Sequence, residues 1–305
     1  MRPITNVAQL SSYSGPYLAS KVTSMRTLFT LFAASSSMLL GQSSGQPNAS
    51  QIAEQSIVVA ERNWTARQSY TYVERNEEKR FDSAGRTRST DVRVSRAVVL
   101  NNGNIIDQTV SYNGGPPTPE QKKNDQELLR KRRSETLQER TARLREEKEN
   151  RAFIGEVVSA FNFQLLGEEV IDGRQAYILQ ATPKSGYRAH SKHGRIFSKV
   201  HGKLWVDKQD FGWVKVDANV VAPFSMGLFL ARVNPGTHIL FEQIRVAEGI
   251  WLPRHIEIKA DAKILFLKNY QMQEVITYSE YRPAQPSQVV AERREPTVKS
   301  KPSGL

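Results

Sequence analysis

There is no cysteine among the 305 residues of the chain, and that absence removes several chemistries together. Disulfide staples, thiolate zinc sites, iron–sulfur clusters, thiol nucleophiles and a lipid anchor on an N-terminal cysteine are all excluded. Acidic side chains are fewer than basic ones, 31 against 43, which gives a formal charge of +12 at pH 7. A hydrophobic run of the ~20 residues needed to span a bilayer is also missing. The strongest apolar stretch, Thr27 to Leu40, is shorter and holds Ser35, Ser36 and Ser37 in its middle. No expected strand leads into a G-x-S-x-G elbow (the letters occur only at Gly41-Gln-Ser-Ser-Gly45, in the polar region after the apolar stretch), and a G-x-G-x-x-G after a strand and the G-x-x-x-x-G-K-[ST] loop are lacking. What is present suffices for a core, since 39% of residues are hydrophobic and 24% charged, a balance outside the disordered range.

The apolar stretch has a context. Met25-Arg26 supplies a short basic start, and Gly41 to Ser50 a small polar region after it. This order reads as a secretory signal peptide over residues 25–45, with residues 1–24 as an upstream extension and Met25 as the natural start. The mature chain is therefore expected to be exported to the periplasm. At the other end, residues 283–305 are rich in Pro, Gln, Ser, Lys and Arg, and a disordered tail is expected there.

Between these ends the hydrophobic period changes. Ile52, Ala53, Ile57, Val58 and Ala60 mix three- and four-residue spacing, so Gln51–Trp64 reads as a helix. From Tyr70 the period is two. Strands follow at Tyr70–Arg75, around Val92–Leu100 and at Ile105–Tyr112, separated by turns at Asp82–Gly85 and Asn101–Asn104. Residues 119–151 then break the pattern with eleven basic and eight acidic side chains. Strong helix formers dominate this insert, and its leucines are too sparse for a coiled-coil seam. It reads as a solvated charged helix linking two halves of one sheet. The interspersed glutamates cancel the field that phosphate binding would need, so no nucleic-acid partner is expected. Phe153, Ile154, Val157, Val158, Phe161 and Leu165 fall on one face of a further amphipathic helix.

The C-terminal half reads as nearly all β. Strands are expected at Gln175–Thr182, Arg195–Val200, Lys203–Asp207, Trp213–Val221, Thr237–Ala247, Arg254–Ala260, Lys263–Tyr270 and Gln271–Tyr281. Strands this closely spaced imply an antiparallel sheet that curls to protect its edges. Candidate chemistry is sparse. His190, His193 and His201 lie in a basic loop with no carboxylate nearby in sequence, which makes them poor metal ligands. Asp207, Asp210 and Asp217 could cluster in space, but turn residues explain them more simply. No catalytic residue, metal or cofactor is assigned.

Three segments carry a resemblance. Gly167–Pro183, then Val200-His-Gly-Lys-Leu-Trp205-Val-Asp207, then Trp213-Val-Lys-Val-Asp217 together resemble the LolA/LolB-like superfamily of outer-membrane lipoprotein-sorting proteins. Trp251-Leu-Pro253 and the strand holding Ile256 and Ile258 fit the later part of that pattern. The resemblance spans residues 51–282 as one domain. It implies an α+β, mainly β fold: a half-open antiparallel β-barrel wrapped around helices, with an apolar cavity for the acyl chains of a lipid or lipoprotein. The apolar run around Phe224, Met226, Phe229 and Leu230, with Trp213 and Phe266, supplies candidate lining residues. The expected role is a non-enzymatic lipid- or lipoprotein-binding protein, a carrier toward the outer membrane in peripheral contact with it. The alternative is an envelope-stress sensor or interaction module of the same fold with an envelope protein partner.

Overall fold

Asn48 starts the first helix. Its side chain accepts from the Gln51 N–H at 2.9 Å, and the Gln51 side chain accepts from the Asn48 N–H at 3.1 Å, a reciprocal cap that satisfies two otherwise orphan donors. In the computed structural model the described residues are 48–284 without 101, 103, 192, 227–230 and 265–267. The expected upstream extension, the signal segment 25–45, part of the Asn101–Asn104 turn and all but the first two residues of the expected tail lie outside them. Among the described residues no helix is long and apolar enough to cross a membrane.

In chain order the elements are α1 (Ala49–Arg67), β1 (Tyr70–Phe81), β2 (Thr87–Val99), β3 (Ile105–Tyr112), α2 (Pro119–Arg133), α3 (Leu137–Arg151), the short α4 (Val157–Ala160), β4 (Phe161–Ile171), β5 (Arg174–Pro183), β6 (Val200–Asp207), β7 (Trp213–Val220), β8 (Phe224–Met226), β9 (Ala231–Val233), β10 (His238–Ala247), β11 (Ile250–Ile264) and β12 (Lys268–Pro283). All twelve strands join one antiparallel sheet, ordered β3-β2-β1-β12-β11-β10-β7-β6-β5-β4, with β9 on β11 and β8 on β9. The path ends on β3 and β4, which do not pair with each other among the described residues. The result is an unclosed, mainly β barrel. Helix α1 lies on its inner face, where Ile52 and Ala53 meet Tyr177, Leu179, Leu204 and Val206 to form the core.

Four expectations need correction. The charged insert is two helices rather than one: Ser134 closes α2, with its hydroxyl on the Arg130 carbonyl at 3.0 Å. Thr136 then starts α3 through a second reciprocal cap with Glu139. The amphipathic helix over 153–165 is replaced by a 3₁₀ turn (Ala152–Glu156), α4 and strand β4. Phe161, Phe163 and Leu165 alternate with Asn162 and Gln164, and the segment pairs with β5 as a strand. Residues Gly194–Lys199 form a 3₁₀ helix instead of a strand, held by Phe197 against Phe153 and Phe161 at 5.8 and 5.2 Å between ring centroids. Finally, β11 runs to Ile264 and β12 begins at Lys268, so one long hairpin replaces the three expected strands from Arg254 to Tyr281.

Helices α2 and α3 are tethered rather than free. Asp125 accepts from the Thr109 N–H of edge strand β3 at 2.8 Å. Glu135, between the helices, takes up Arg143, Arg132 and Asn104. The insert thus connects the two edge strands and occupies the Thr109 backbone donor on one of them, which blunts a sheet edge that could otherwise recruit another chain.

A candidate amphiphile-binding face

The pairing register carries a single row of side chains across all ten strands of the main path. From β4 to β3 it reads Leu165, Leu179, Leu204, Val216, Phe241, Ile256, Ile276, Asn76, Arg93 and Tyr112. Directly opposed residues in an antiparallel sheet share a face, so the whole row lies on the side that α1 covers. The neighbouring row reads Phe163, Ala181, Gly202, Ala218, Ile239, Ile258, Glu274, Glu78 and Asp91. Both rows are apolar from β4 to β11 and become polar at β12 and β1. Beneath α1 Leu179 and Leu204 are buried, while Phe163, Leu165 and Val216 around them and Ile239, Phe241, Ile256 and Ile258 farther along are half-buried. The inner face is therefore itself amphipathic: a partly open aliphatic floor beside a charged wall.

That wall is hydrogen-bonded throughout. Asn76 donates to Glu274 at 2.7 Å, and Arg80 and Tyr270 donate to Glu78 at 2.5 and 3.1 Å. Arg93 lies 3.7 Å from Glu74, and Tyr112 donates to Asp91 at 2.5 Å. Opposed carboxylates such as Glu78 and Glu274 would repel, and these donors offset that. Burial pushes the Glu74 carboxyl upward against the opposing effect of Arg93. Burial and Glu78 raise the Tyr270 hydroxyl to about 12.

At the end of the wall sits the last turn of α1. The Arg67 guanidinium lies 5.1 Å from the Tyr72 ring and 5.5 Å from the Tyr278 ring, and donates to the Tyr72 hydroxyl at 3.0 Å. Arg151 of α3 stacks 3.6 Å from the centroid of Trp64, whose ring is also 5.8 Å from Arg67. Both guanidiniums therefore lie close to one indole. Burial pulls Arg151 down to about 10, opposed by Glu61, and burial raises the Asp107 carboxyl. Both amide atoms of Asn63, Trp64 Nε1, Asp107 Oδ1 and Arg151 Nη1 are buried without a hydrogen-bond partner.

The candidate lining residues are distributed unevenly. Trp213 packs against the α1 core, with its Nε1 donating to Ser56 Oγ at 3.0 Å. Phe224 is half-buried in β8 opposite Val233, and Met226 ends that strand opposite Ala231. Strand β8 reaches the main sheet only through β9 and β11, whereas Trp213 is on β7. Phe229, Leu230 and Phe266 lie outside the described residues. The half-buried floor residues and the charged wall escaped the sequence reading. The spacing of Ile256 and Ile258 was visible, but nothing local shows that they meet Ile239 and Phe241.

One further expectation changes. The basic histidine loop does have a carboxylate beside it: Glu156 accepts from the N–H groups of His190 and Ser191 at 2.8 and 2.7 Å and from the Tyr187 hydroxyl at 2.6 Å. Asp207 and Asp210 converge on Arg174 at 2.7 and 3.4 Å, but Asp217 pairs with His238 at 3.0 Å, so the three do not cluster. An open cleft of about 520 Å³ lies elsewhere, between Arg62 and Ala66 of α1 and Asp210, Glu248 and Ile250. Its lining mixes polar and apolar surface and belongs to neither inner-face row.

No family model matches the sequence, and no curated protein matches it. Solved structures similar to this chain include a LolA superfamily protein, NE2245 from Nitrosomonas europaea, at 15% identity over 79% of this chain and 95% of that one, with a TM-score of 0.31. A DUF1329 family protein from Desulfovibrio piger is similar at 13% identity over 76% and 93%, with a TM-score of 0.28. The MucA/MucB complex of Pseudomonas aeruginosa gives 12% identity over 78% and 99%, with a TM-score of 0.24.

Proposed function

We propose that this protein binds an amphiphile, a lipid or the acyl chains of a lipoprotein, on the inner face of its unclosed barrel, without catalysis and after export to the periplasm. The observation that carries the reading is the half-buried floor of Ile239, Phe241, Ile256 and Ile258, bordered on one side by α1 and on the other by a charged wall. Removing apolar surface from water stabilises a complex by roughly 25 cal/mol per Å². A surface that is aliphatic at one end and polar at the other suits a ligand of the same character. The sequence resemblance to lipoprotein-sorting proteins and the basic-then-apolar N-terminal segment support the same reading. Phe224 and Met226, together with Phe229, Leu230 and Phe266 outside the described residues, remain proposed lining residues.

The test is to purify the full chain, extract it and identify co-purifying lipid by mass spectrometry, alongside uptake of a fluorescent fatty-acyl probe. Ile256→Asp places a carboxylate against hydrocarbon, a change that costs several kcal/mol, so uptake should fall at least a hundredfold while circular dichroism shows the fold retained. A folded variant with unchanged uptake removes this floor from the site.

A further inference from the structure

The two edges of the sheet are finished differently. On β3 the Thr109 N–H is occupied by Asp125 of the insert. Strand β4, at the other end, pairs with β5 alone among the described residues. The direction of each backbone group of β4 follows from the ladder. The Lys184 N–H donates to the Ala160 carbonyl at 2.8 Å, one step beyond the opposed Phe161 and Pro183, so Ala160 and Lys184 are a hydrogen-bonded pair. Such pairs alternate with non-hydrogen-bonded ones along antiparallel strands. Asn162 and Gln164 therefore bond to Thr182 and Gln180 of β5, whereas the N–H and C=O groups of Phe163 and Leu165 point away from it. Phe161 has the same parity, and its N–H turns to the Val157 carbonyl.

Sheets guard open edges with charge, proline or bulges, and β4 has such guards only in its second half. There the register shifts between Leu165 and Gly167, and Glu168 and Glu169 follow. From Phe161 to Leu166 the strand has no charge and no proline. Phe163 and Leu165 are half-buried on the inner face against the α1 core, while Asn162 and Gln164 are exposed on the outer face.

We propose that this segment is a self-association edge, on which β4 of a second copy of the chain pairs antiparallel about a two-fold axis at Gln164. Phe163 then opposes Leu165 of the second copy, and Leu165 opposes Phe163 of the second copy. All four residues bring unused N–H and C=O groups, so this register forms four backbone hydrogen bonds. The opposed Phe and Leu side chains cover each other's half-buried surface as cross-strand pairs. No like charges come opposite one another, although the chain carries +12 overall. An axis farther along the strand would bring in the bulge and the two glutamates. The segment offers no ion pair to a charged partner, and its own sequence is its complement. That is why a second copy is the occupant.

Sedimentation velocity of the full chain over a range of concentrations tests the contact, and a reversible dimer is the expected result. Asn162→Lys combined with Gln164→Lys gathers four ammonium groups beside the axis, so the dimer should weaken at least about tenfold. Both positions are exposed, so circular dichroism and Tm should stay as in wild type. Because the chain has no cysteine, Gln164→Cys supplies one thiol per copy. Opposed side chains of a non-hydrogen-bonded pair lie within disulfide reach. Under mild oxidation this variant should cross-link at least about tenfold faster than Gln138→Cys, which places the thiol on the exposed Gln138 of α3. A wild type that stays monomeric up to about 100 μM overturns the proposal. So does a dimer that survives both lysines, or equal cross-linking of the two cysteine variants.

Discussion

Single residues here act chiefly by closing hydrogen-bond sets that span distant segments. Asp207, fully buried, accepts both Nε and Nη2 of Arg174 at 2.7 and 2.8 Å and the N–H groups of Gln209 and Asp210 at 2.9 and 2.7 Å. Burial alone would raise its pKa, but these bonds outweigh burial and lower it. Asp207→Ala would strand a guanidinium and two amides, so a loss of about 3 kcal/mol is expected in urea unfolding. Glu156 is the comparable hub of the loop at Tyr187–Ser191. Burial pushes its carboxyl up, yet bonds from Ser191, Tyr187 and His190 bring it down to about 2, below the ordinary 4.5. A depressed carboxyl stabilises the fold above its unfolded pKa and loses that contribution as pH falls toward the folded one. Glu156→Gln should therefore cost about 2 kcal/mol at neutral pH. That deficit should shrink between about pH 4.5 and 2, measured as the difference in urea midpoint from wild type. A deficit independent of pH would assign the effect to shape rather than charge.

At the scale of elements, some of the fold was legible in the sequence and some was not, for reasons that differ by segment. Trp213–Val220 has one apolar face, so alternation revealed it. Strand β1 has Tyr72, Glu74, Asn76 and Glu78 inward and Arg75, Glu77 and Lys79 outward, polar on both sides, so hydropathy shows a strand without a face. The stretch from Phe153 to Leu165 misled because Phe153, Val157, Phe161 and Leu165 are four residues apart. That spacing lies close to one helical turn and equals two strand periods. Only pairing with β5, a long-range event, decides for strand. The division of the insert was readable in principle, since Thr136-Leu-Gln-Glu139 is a capping box. The stacking of Arg151 on Trp64 was not, because it needs the insert to return over α1. One consequence is testable at this scale. Asp125→Ala frees the Thr109 N–H of edge strand β3, so hydrogen exchange at Thr109 should accelerate at least tenfold, and aggregation should rise as the edge opens. Unchanged protection would show that α2 does not guard the edge.

For the whole molecule the governing feature is that the sheet does not close. A closed barrel would screen its inner side chains on every side. An unclosed one leaves Ile239, Phe241, Ile256 and Ile258 half-buried, a residual apolar surface whose cost falls when a ligand covers it. Because the register rows extend from β3 to β4, the floor exists only in the folded sheet, and the unfolded chain has no equivalent surface. A ligand that binds the native state alone stabilises it by RT ln(1 + [L]/Kd), about 2.7 kcal/mol at a hundredfold excess over Kd. For a domain of this size that corresponds to a rise in Tm of about 5–10 °C. Differential scanning calorimetry with saturating decanoate or decyl phosphate should show such a rise in wild type. Phe241→Asp should show none, because its carboxylate would lie in the middle of the floor, opposite Val216 and Ile256. The variant's own Tm without ligand separates loss of the site from loss of the fold. A folded Phe241→Asp protein that still gains the full rise would place the amphiphile away from the inner face.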